Sequence, residues 1–301
     1  LNLCRWPELA AEVSLQPLRR FAFDGCIVFS DILLPLEDFG VKVDFPDEGG
    51  ITVSAPEKFI LKQTSTSNMT ATTDAISLIK EKMKAEDLDA AMLGFAGAPW
   101  TLGNYILEGG SSKGREFTQA KSHIWSDEGY LRELLDSLTE MTIHYLQKQI
   151  ESGAEMVQLF DSWAGELSYD DFACWVLPSL KKIFNNLPPE TPKALFIKNA
   201  APYLAMLAEV GCDVLSLDWK MDLTEVTQKL REYPDSKIKC LQGNLDPHYL
   251  TSDNIDFIKE QTSQLIQTGK DSSLGHILNL GHGITPKANL KAVETFIACA
   301  K

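Results

Sequence analysis

Apolar residues recur along the chain in short continuous runs, each ending in a polar or glycine-containing turn and each followed by a stretch with helical spacing. The runs predict buried strands at 26–31, 91–98, 156–162, 194–199, 214–219, 238–244 and 276–281. Between them, apolar positions spaced three and four apart predict helices near 7–22, 74–85, 115–151, 170–186, 201–210, 222–232, 254–268 and 287–300. Strand and helix alternate throughout, the pattern of a parallel sheet with helical crossovers. Residues 34–66 break it: they lack helical periodicity and carry Pro35, Pro46, Gly49, Gly50 and Pro56, and are expected to form a long insertion with a hairpin.

Two α/β architectures fit, a doubly wound sheet and a (β/α)8 TIM barrel. The strand ends favour the barrel, because all of them carry polar groups: Ser30-Asp31, Gly97-Ala98-Pro99, Asp161-Ser162, Lys198-Asn199, Asp218-Trp219, Gly243-Asn244 and Gly281-His282-Gly283. A barrel gathers every carboxyl-terminal strand end at one mouth, whereas an open sheet concentrates function at a switch point. With seven predicted strands and a helix at the start, the expectation is a single barrel domain over 1–301 that lacks its first βα unit. Residue 1 is Leu, and the sequence reads as starting partway into a longer chain.

Composition narrows the partners. The chain has 28 Lys plus Arg against 42 Asp plus Glu, a formal net charge of −14, which repels phosphate backbones and anionic lipid headgroups. Neither nucleic acid nor a membrane is expected as a partner, and no apolar run approaches the roughly 20 residues that span a bilayer. The six cysteines are scattered without a C-x-x-C or H-x-C pair, so no disulfide framework or zinc cluster is expected. They are read as small buried apolar residues of a reducing compartment.

Several groups carry candidate chemistry. Gly110-Ser111-Ser112-Lys113-Gly114 fits G-x-S-x-G, the pattern of a serine hydrolase elbow, but an elbow needs a buried strand directly before it, and a strand there breaks the alternation. A flexible glycine-rich loop is the competing reading. Asp31 ends an apolar run, where its carboxylate is either a helix cap, an ion-pair partner or a functional group. Asp161 and Ser162 close a strand, where helix capping competes with function. His282 sits between two glycines that allow close backbone approach to a ligand. His123, His144, His248 and His276 are read as structural.

Beyond these local features, Gly94-Phe95-Ala96-Gly97-Ala98-Pro99-Trp100-Thr101-Leu102, with Tyr105 and Glu108-Gly109-Gly110-Ser111, closely resembles the signature of the uroporphyrinogen decarboxylase family. Phe29-Ser30-Asp31-Ile32-Leu33, Gln158-Leu159-Phe160-Asp161-Ser162-Trp163-Ala164-Gly165, Leu217-Asp218-Trp219, Gln242-Gly243-Asn244-Leu245-Asp246-Pro247 and Asn279-Leu280-Gly281-His282-Gly283 match further family motifs in order. The resemblance implies a (β/α)8 barrel, a homodimer of the cytoplasm or a plastid, that removes CO₂ from the four acetate side chains of uroporphyrinogen to give coproporphyrinogen without metal or organic cofactor. It implies that Asp31 is the carboxylate accepting the pyrrole N–H groups. By the same resemblance, Tyr105, Ser162 and His282 contact substrate side chains, and Phe95 and Phe160 form apolar walls. The family's Met-Arg-Gln-Ala-Gly-Arg-Tyr motif is not in this sequence and is expected in the βα unit before residue 1. Three other functions compete: a zinc or cobalamin methyltransferase on the same fold, a hydrolase at Ser112, and a noncatalytic porphyrinogen-binding protein.

Overall fold

A computed structural model describes residues 2–46, 50–55, 62, 65–111 and 116–301. It comprises two compact units, Leu1–Pro192 and Lys193–Lys301. All seven expected strands form, and within each unit they are parallel and follow chain order, giving the α/β, TIM-like fold that the alternation predicts.

In the first unit, β1 (Gly25–Ile27), β4 (Ala91–Gly97) and β5 (Met156–Asp161) pair in that order, with Cys26 opposite Met92 and Ala96 opposite Leu159. The insertion contains the expected hairpin: β2 (Lys42–Asp44) runs antiparallel to β3 (Thr52–Ser54), with Val43 and Val53 paired on the buried side. The helix Pro7–Phe21 starts on proline, which has no N–H to leave unsatisfied, and ends where Ala22 takes the left-handed conformation and donates its N–H to the Leu18 carbonyl.

Four helices depart from the sequence pattern for identifiable reasons. The single helix expected over 115–151 is two, Thr118–Ser126 and Glu128–Glu151, because Asp127 leaves the helical region and caps the second by accepting the Tyr130 N–H. The helix expected from 74 begins at Ser67, because the fully buried Asp38 carboxylate accepts the N–H groups of Asn68 and Met69 at 3.1 and 2.9 Å. A helix also occupies Pro99–Leu107, opened by Pro99 directly after β4. The segment 170–186 is interrupted by a π turn at Phe172–Val176 before Leu177–Asn186.

In the second unit, β6 (Lys193–Ile197), β7 (Val214–Ser216), β8 (Cys240–Leu245) and β9 (Gly275–Leu280) form the parallel sheet. The amphipathic helices Leu223–Leu230, Ile255–Asp271 and Leu290–Ala298 accompany them. Leu245, Leu250, Ile258 and Ala292 are the buried centre of one cluster, against which Tyr249, Phe257, Leu280 and Phe296 pack. The expected helix 201–210 shortens to a 3-10 turn at Ala201–Tyr203 and one α turn at Leu204–Leu207.

The cysteines are less uniform than expected. Cys4, Cys26 and Cys212 are buried, but Cys174 is exposed and Cys240 and Cys299 are half-buried, since they fall at turn, strand-start and chain-end positions that pack on one side only. Among the described residues, no helix is long and apolar enough to cross a membrane.

Candidate functional site

The stretch that follows β1 is fixed by side chains rather than by the sheet. Ser14 accepts the Phe29 N–H at 2.7 Å, and the Ser30 and Thr72 hydroxyls meet at 3.1 Å, with the buried Tyr145 phenol hydrogen-bonded to both. This delivers Asp31 to a half-buried turn whose two carboxylate oxygens have different surroundings. Oδ1 accepts the Leu33 N–H at 2.8 Å and closes an Asx turn, while Oδ2 accepts no hydrogen bond among the described residues. The turn cap thus uses one carboxylate oxygen and leaves the other uncommitted among the described residues. Burial raises the Asp31 pKa above its ordinary value, the Leu33 N–H opposing the shift.

Tyr105 lies within electrostatic range of Asp31, on the helix Pro99–Leu107. Burial, and secondarily the Asp31 charge, push its phenol up to about 12, so it remains a proton donor at neutral pH. Its ring packs on Trp163 at 4.2 Å between centroids, and Phe117 covers Trp163 at 4.8 Å. Phe95 of β4 and Phe160 of β5 meet edge to face at 5.9 Å and 83°, forming an apolar pair at the ends of adjacent strands.

Capping at the end of β5 belongs to Asp161 and not to Ser162. Asp161 Oδ1 accepts the Thr101 hydroxyl at 2.6 Å and the backbone N–H groups of Ala164 and Trp163 at 3.0 and 3.4 Å. Its Oδ2 is buried with no partner among the described residues, and burial raises its pKa to about 6. Ser162 is half-buried, and among the described residues its hydroxyl has no partner, leaving it available to a ligand.

The G-x-S-x-G reading falls on Ser112, Lys113 and Gly114, which lie outside the described residues. The element before it is the helix Pro99–Leu107, not a strand. Gly110 has its own reason to be glycine: at φ +136° it bridges to Thr52 beside β3, and a Cβ there would run into the Ile51 carbonyl. Ser111 N–H and Val53 N–H extend this pairing, at 2.9 Å to the Ile51 carbonyl and 3.0 Å to the Gly109 carbonyl.

His282 belongs to the second unit. Its imidazole packs edge to face on Phe196 at 6.0 Å and on Trp219 at 6.1 Å. The flanking glycines differ: a Cβ on Gly281 would collide with the Trp219 backbone, and one on Gly283 would meet nothing within 4 Å. Next to Trp219 in the chain, the buried Asp218 carboxylate accepts the Asn199 N–H at 2.5 Å and the Lys220 N–H at 2.9 Å. Two of the histidines read as structural have polar partners, His276 at 2.6 Å from the Gly243 carbonyl and His248 at 2.8 Å from Asp246. Sequence reasoning did not single out Gln149, Thr101 or Lys220. The first two lie on helix faces that their own spacing marks only as buried.

In the first unit, then, the structure brings a carboxylate near a protonated phenol, and at neighbouring strand ends an aromatic pair and a hydroxyl; among the described residues one carboxylate oxygen and the hydroxyl have no partner. That set suits a planar, polar ligand that offers N–H donors to a carboxylate.

Comparison with known proteins bears on the same chemistry. The family model described as "Uroporphyrinogen decarboxylase (URO-D)" matches residues 1–301. A protein of Synechococcus sp. (strain JA-2-3B'a(2-13)) named uroporphyrinogen decarboxylase is 39% identical over 300 residues, covering 95% of this chain and 82% of that one. One of the same name from Carboxydothermus hydrogenoformans is 38% identical over 300 residues, covering 96% and 82%. Among solved structures, a methyltransferase from Methanosarcina mazei superposes with a TM-score of 0.79 at 20% identity, covering 98% of this chain and 85% of that one. A B12-independent methionine synthase from Shewanella sp. W3-18-1 gives 0.61 at 12%, with coverage of 98% and 85%. At these identities the two structures share a fold with the chain.

Proposed function

The chain belongs to the uroporphyrinogen decarboxylase family, and from that premise we propose that it removes CO₂ from the four acetate side chains of uroporphyrinogen to give coproporphyrinogen, without a metal or organic cofactor. The observation that carries this reading is the divided carboxylate of Asp31. One oxygen is held by the Leu33 N–H, and the other is left to receive the pyrrole N–H groups.

The chemistry follows from what decarboxylation leaves behind. Breaking the bond between the acetate methylene and its carboxylate places an electron pair on carbon, which needs an acceptor. A pyrrole protonated on a ring carbon is such an acceptor, an iminium that takes the pair as CO₂ departs. The substrate supplies the electron sink, a proton then replaces CO₂ on the methylene, and the ring carbon gives up the proton it had taken, which restores the pyrrole. The protein's task is to stabilise positive charge on the ring. A fixed, partly buried Asp31 carboxylate does this far better than water, because it is already oriented and poorly screened.

In this reading Tyr105 and Ser162 donate hydrogen bonds to substrate side chains, and Phe95 and Phe160 exclude water from the ring face. His282, in the second unit, contacts a substrate side chain. The protein works as a cytoplasmic homodimer on a small-molecule tetrapyrrole. The test is anaerobic incubation of the full-length protein with uroporphyrinogen, with chromatographic separation of products that have lost one to four carboxylates. Coproporphyrinogen as the end product supports the reading, and recovery of unchanged substrate rejects it.

A further inference from the structure

Resting on that function and extending it, we propose that Lys220, held by Asn199 and set against the same indole as His282, is a carboxylate-binding cation that receives one side chain of the polyanionic tetrapyrrole. The need is electrostatic. A chain with a formal charge of −14 that takes up a polycarboxylate requires cations at the point of contact. Four of its surface lysines are already neutralised: Lys80 pairs with Glu155, Lys148 with Glu151, Lys182 with Glu140 and Lys229 with Glu232, all within 2.8 Å.

Lys220 differs. Its ammonium donates to the neutral Asn199 Oδ1 at 2.8 Å, and among the described residues no carboxylate lies within ion-pair distance. One of its three donors is used and the charge is uncompensated. The amide that holds it is itself fixed. The buried Asp218 carboxylate accepts the backbone N–H groups of both Asn199 and Lys220, and Asn199 sits at φ +60° in the left-handed region. The ends of β6 and β7 are thereby tied to one another, and the ammonium is placed by that tie.

The Trp219 indole completes the site. Lys220 Nζ lies 5.9 Å from the Trp219 ring centre, and the His282 ring lies 6.1 Å from it. The indole removes water from one side of the cation, strengthening its attraction to an incoming carboxylate. A second polar side chain, His282, packs edge to face on the same indole. Arginine is the usual partner for planar recognition of a carboxylate, but an ammonium serves as a point charge where the ligand arrives from a variable angle.

The full-length protein, Lys220→Met, Lys220→Arg and the control Lys259→Met, at an exposed position on the helix Ile255–Asp271, are compared in two assays. One is steady-state conversion of uroporphyrinogen. The other is equilibrium binding of uroporphyrin, the oxidised polycarboxylate that cannot be decarboxylated by this route. Lys220→Met is expected to raise KM and Kd about tenfold, the worth of roughly one hydrogen bond to a charged group, with kcat changed by less than about twofold. Lys220→Arg recovers most of the loss, Lys259→Met changes nothing, and the effect shrinks as salt rises. Unchanged KM and Kd in Lys220→Met, or a loss confined to kcat, overturns the proposal. If the wild-type protein binds uroporphyrin through Lys220 but does not convert uroporphyrinogen, the decarboxylase function falls and the carboxylate site stands. If it does not bind uroporphyrin, both fall.

Discussion

Gln149 grips Phe95 by both polar groups of its backbone: the side-chain Oε1 accepts the Phe95 N–H at 2.8 Å, and Nε2 donates to the Phe95 carbonyl at 2.8 Å. The amide is fully buried on the helix Glu128–Glu151 and replaces a ladder partner for β4. Gly94 makes the grip possible, since a Cβ at that position would collide with Gln149 Oε1. The glycine that opens the family signature is thus explained by a side chain fifty-five positions away along the chain.

This arrangement predicts that Gln149→Leu leaves a buried N–H and C=O unpaired and costs about 2 to 4 kcal/mol. Gly94→Ala is also destabilising, because it displaces the amide. The two substitutions act on one contact, so the double variant is expected to cost less than the sum, measured by urea unfolding as a double-mutant cycle.

At Asp31, replacement by Asn preserves shape and removes the charge. Turnover of uroporphyrinogen is expected to fall by about 10² to 10³, by analogy with the loss of one preorganised electrostatic group, with the circular dichroism spectrum unchanged. Because burial raises the Asp31 pKa, the wild-type activity that depends on the carboxylate is lost on acidification sooner than for an ordinary aspartate. The residual activity of Asp31→Asn lacks that acid limb. A kcat against pH profile of the two proteins decides the matter, and near-normal turnover by the Asn variant leaves Asp31 as a turn cap only.

Asp161 makes a separate prediction about stability. Its folded pKa of about 6 lies above the ordinary 3.8. Below 3.8 both folded and unfolded chains are protonated here and the group contributes no penalty. As pH rises through this window the unfolded chain gives up a proton that the folded chain keeps, so stability falls, and above about 6 the full penalty of about 3 kcal/mol applies. Asp161→Asn keeps an acceptor for Thr101, Trp163 and Ala164 but does not ionise. Its stability relative to wild type is expected to rise between about pH 4 and pH 6 and then level off, read from chemical unfolding at each pH.

Gly110→Ala and Ser112→Ala separate a structural signature from a hydrolytic one. The first meets the Ile51 carbonyl at a backbone angle that alanine tolerates poorly, and is expected to destabilise the protein by more than 1 kcal/mol, roughly the cost of the strained backbone alone. The second is expected to leave turnover unaltered. Loss of activity in Ser112→Ala with a normal unfolding midpoint makes the serine a functional group.

The strands were legible because a buried parallel strand writes itself as a continuous apolar run, and each of the seven runs formed one. Helix boundaries were less legible where distant groups set them. Asp38 starts the helix at Ser67 from twenty-nine residues upstream, and no local pattern records it. Asp127 splits a helix without disturbing the apolar phase on either side, so periodicity passes through the break. At the site, Asp31 was visible as a charge closing an apolar run, but the division of labour between its two oxygens depends on the Leu33 N–H. The glycines beside His282 suggested room for a ligand. What the spacing does not record is that Gly281 also meets the backbone of Trp219, a contact between two strand ends far apart in sequence.

Asp218 has a consequence for how this surface can change over evolutionary time. One buried carboxylate holds the backbone at Asn199 and at Lys220, and the Asn199 side chain in turn holds the Lys220 ammonium. Asn199 and Asp218 are therefore expected to be inherited together, with Lys220 resting on them. A lineage that replaces Asp218 releases both segments at once, whereas one that replaces Lys220 loses a single charge and keeps the scaffold. Substitutions are expected to accumulate at Lys220 while Asn199 and Asp218 are retained together, so the scaffold outlasts the charge it presents.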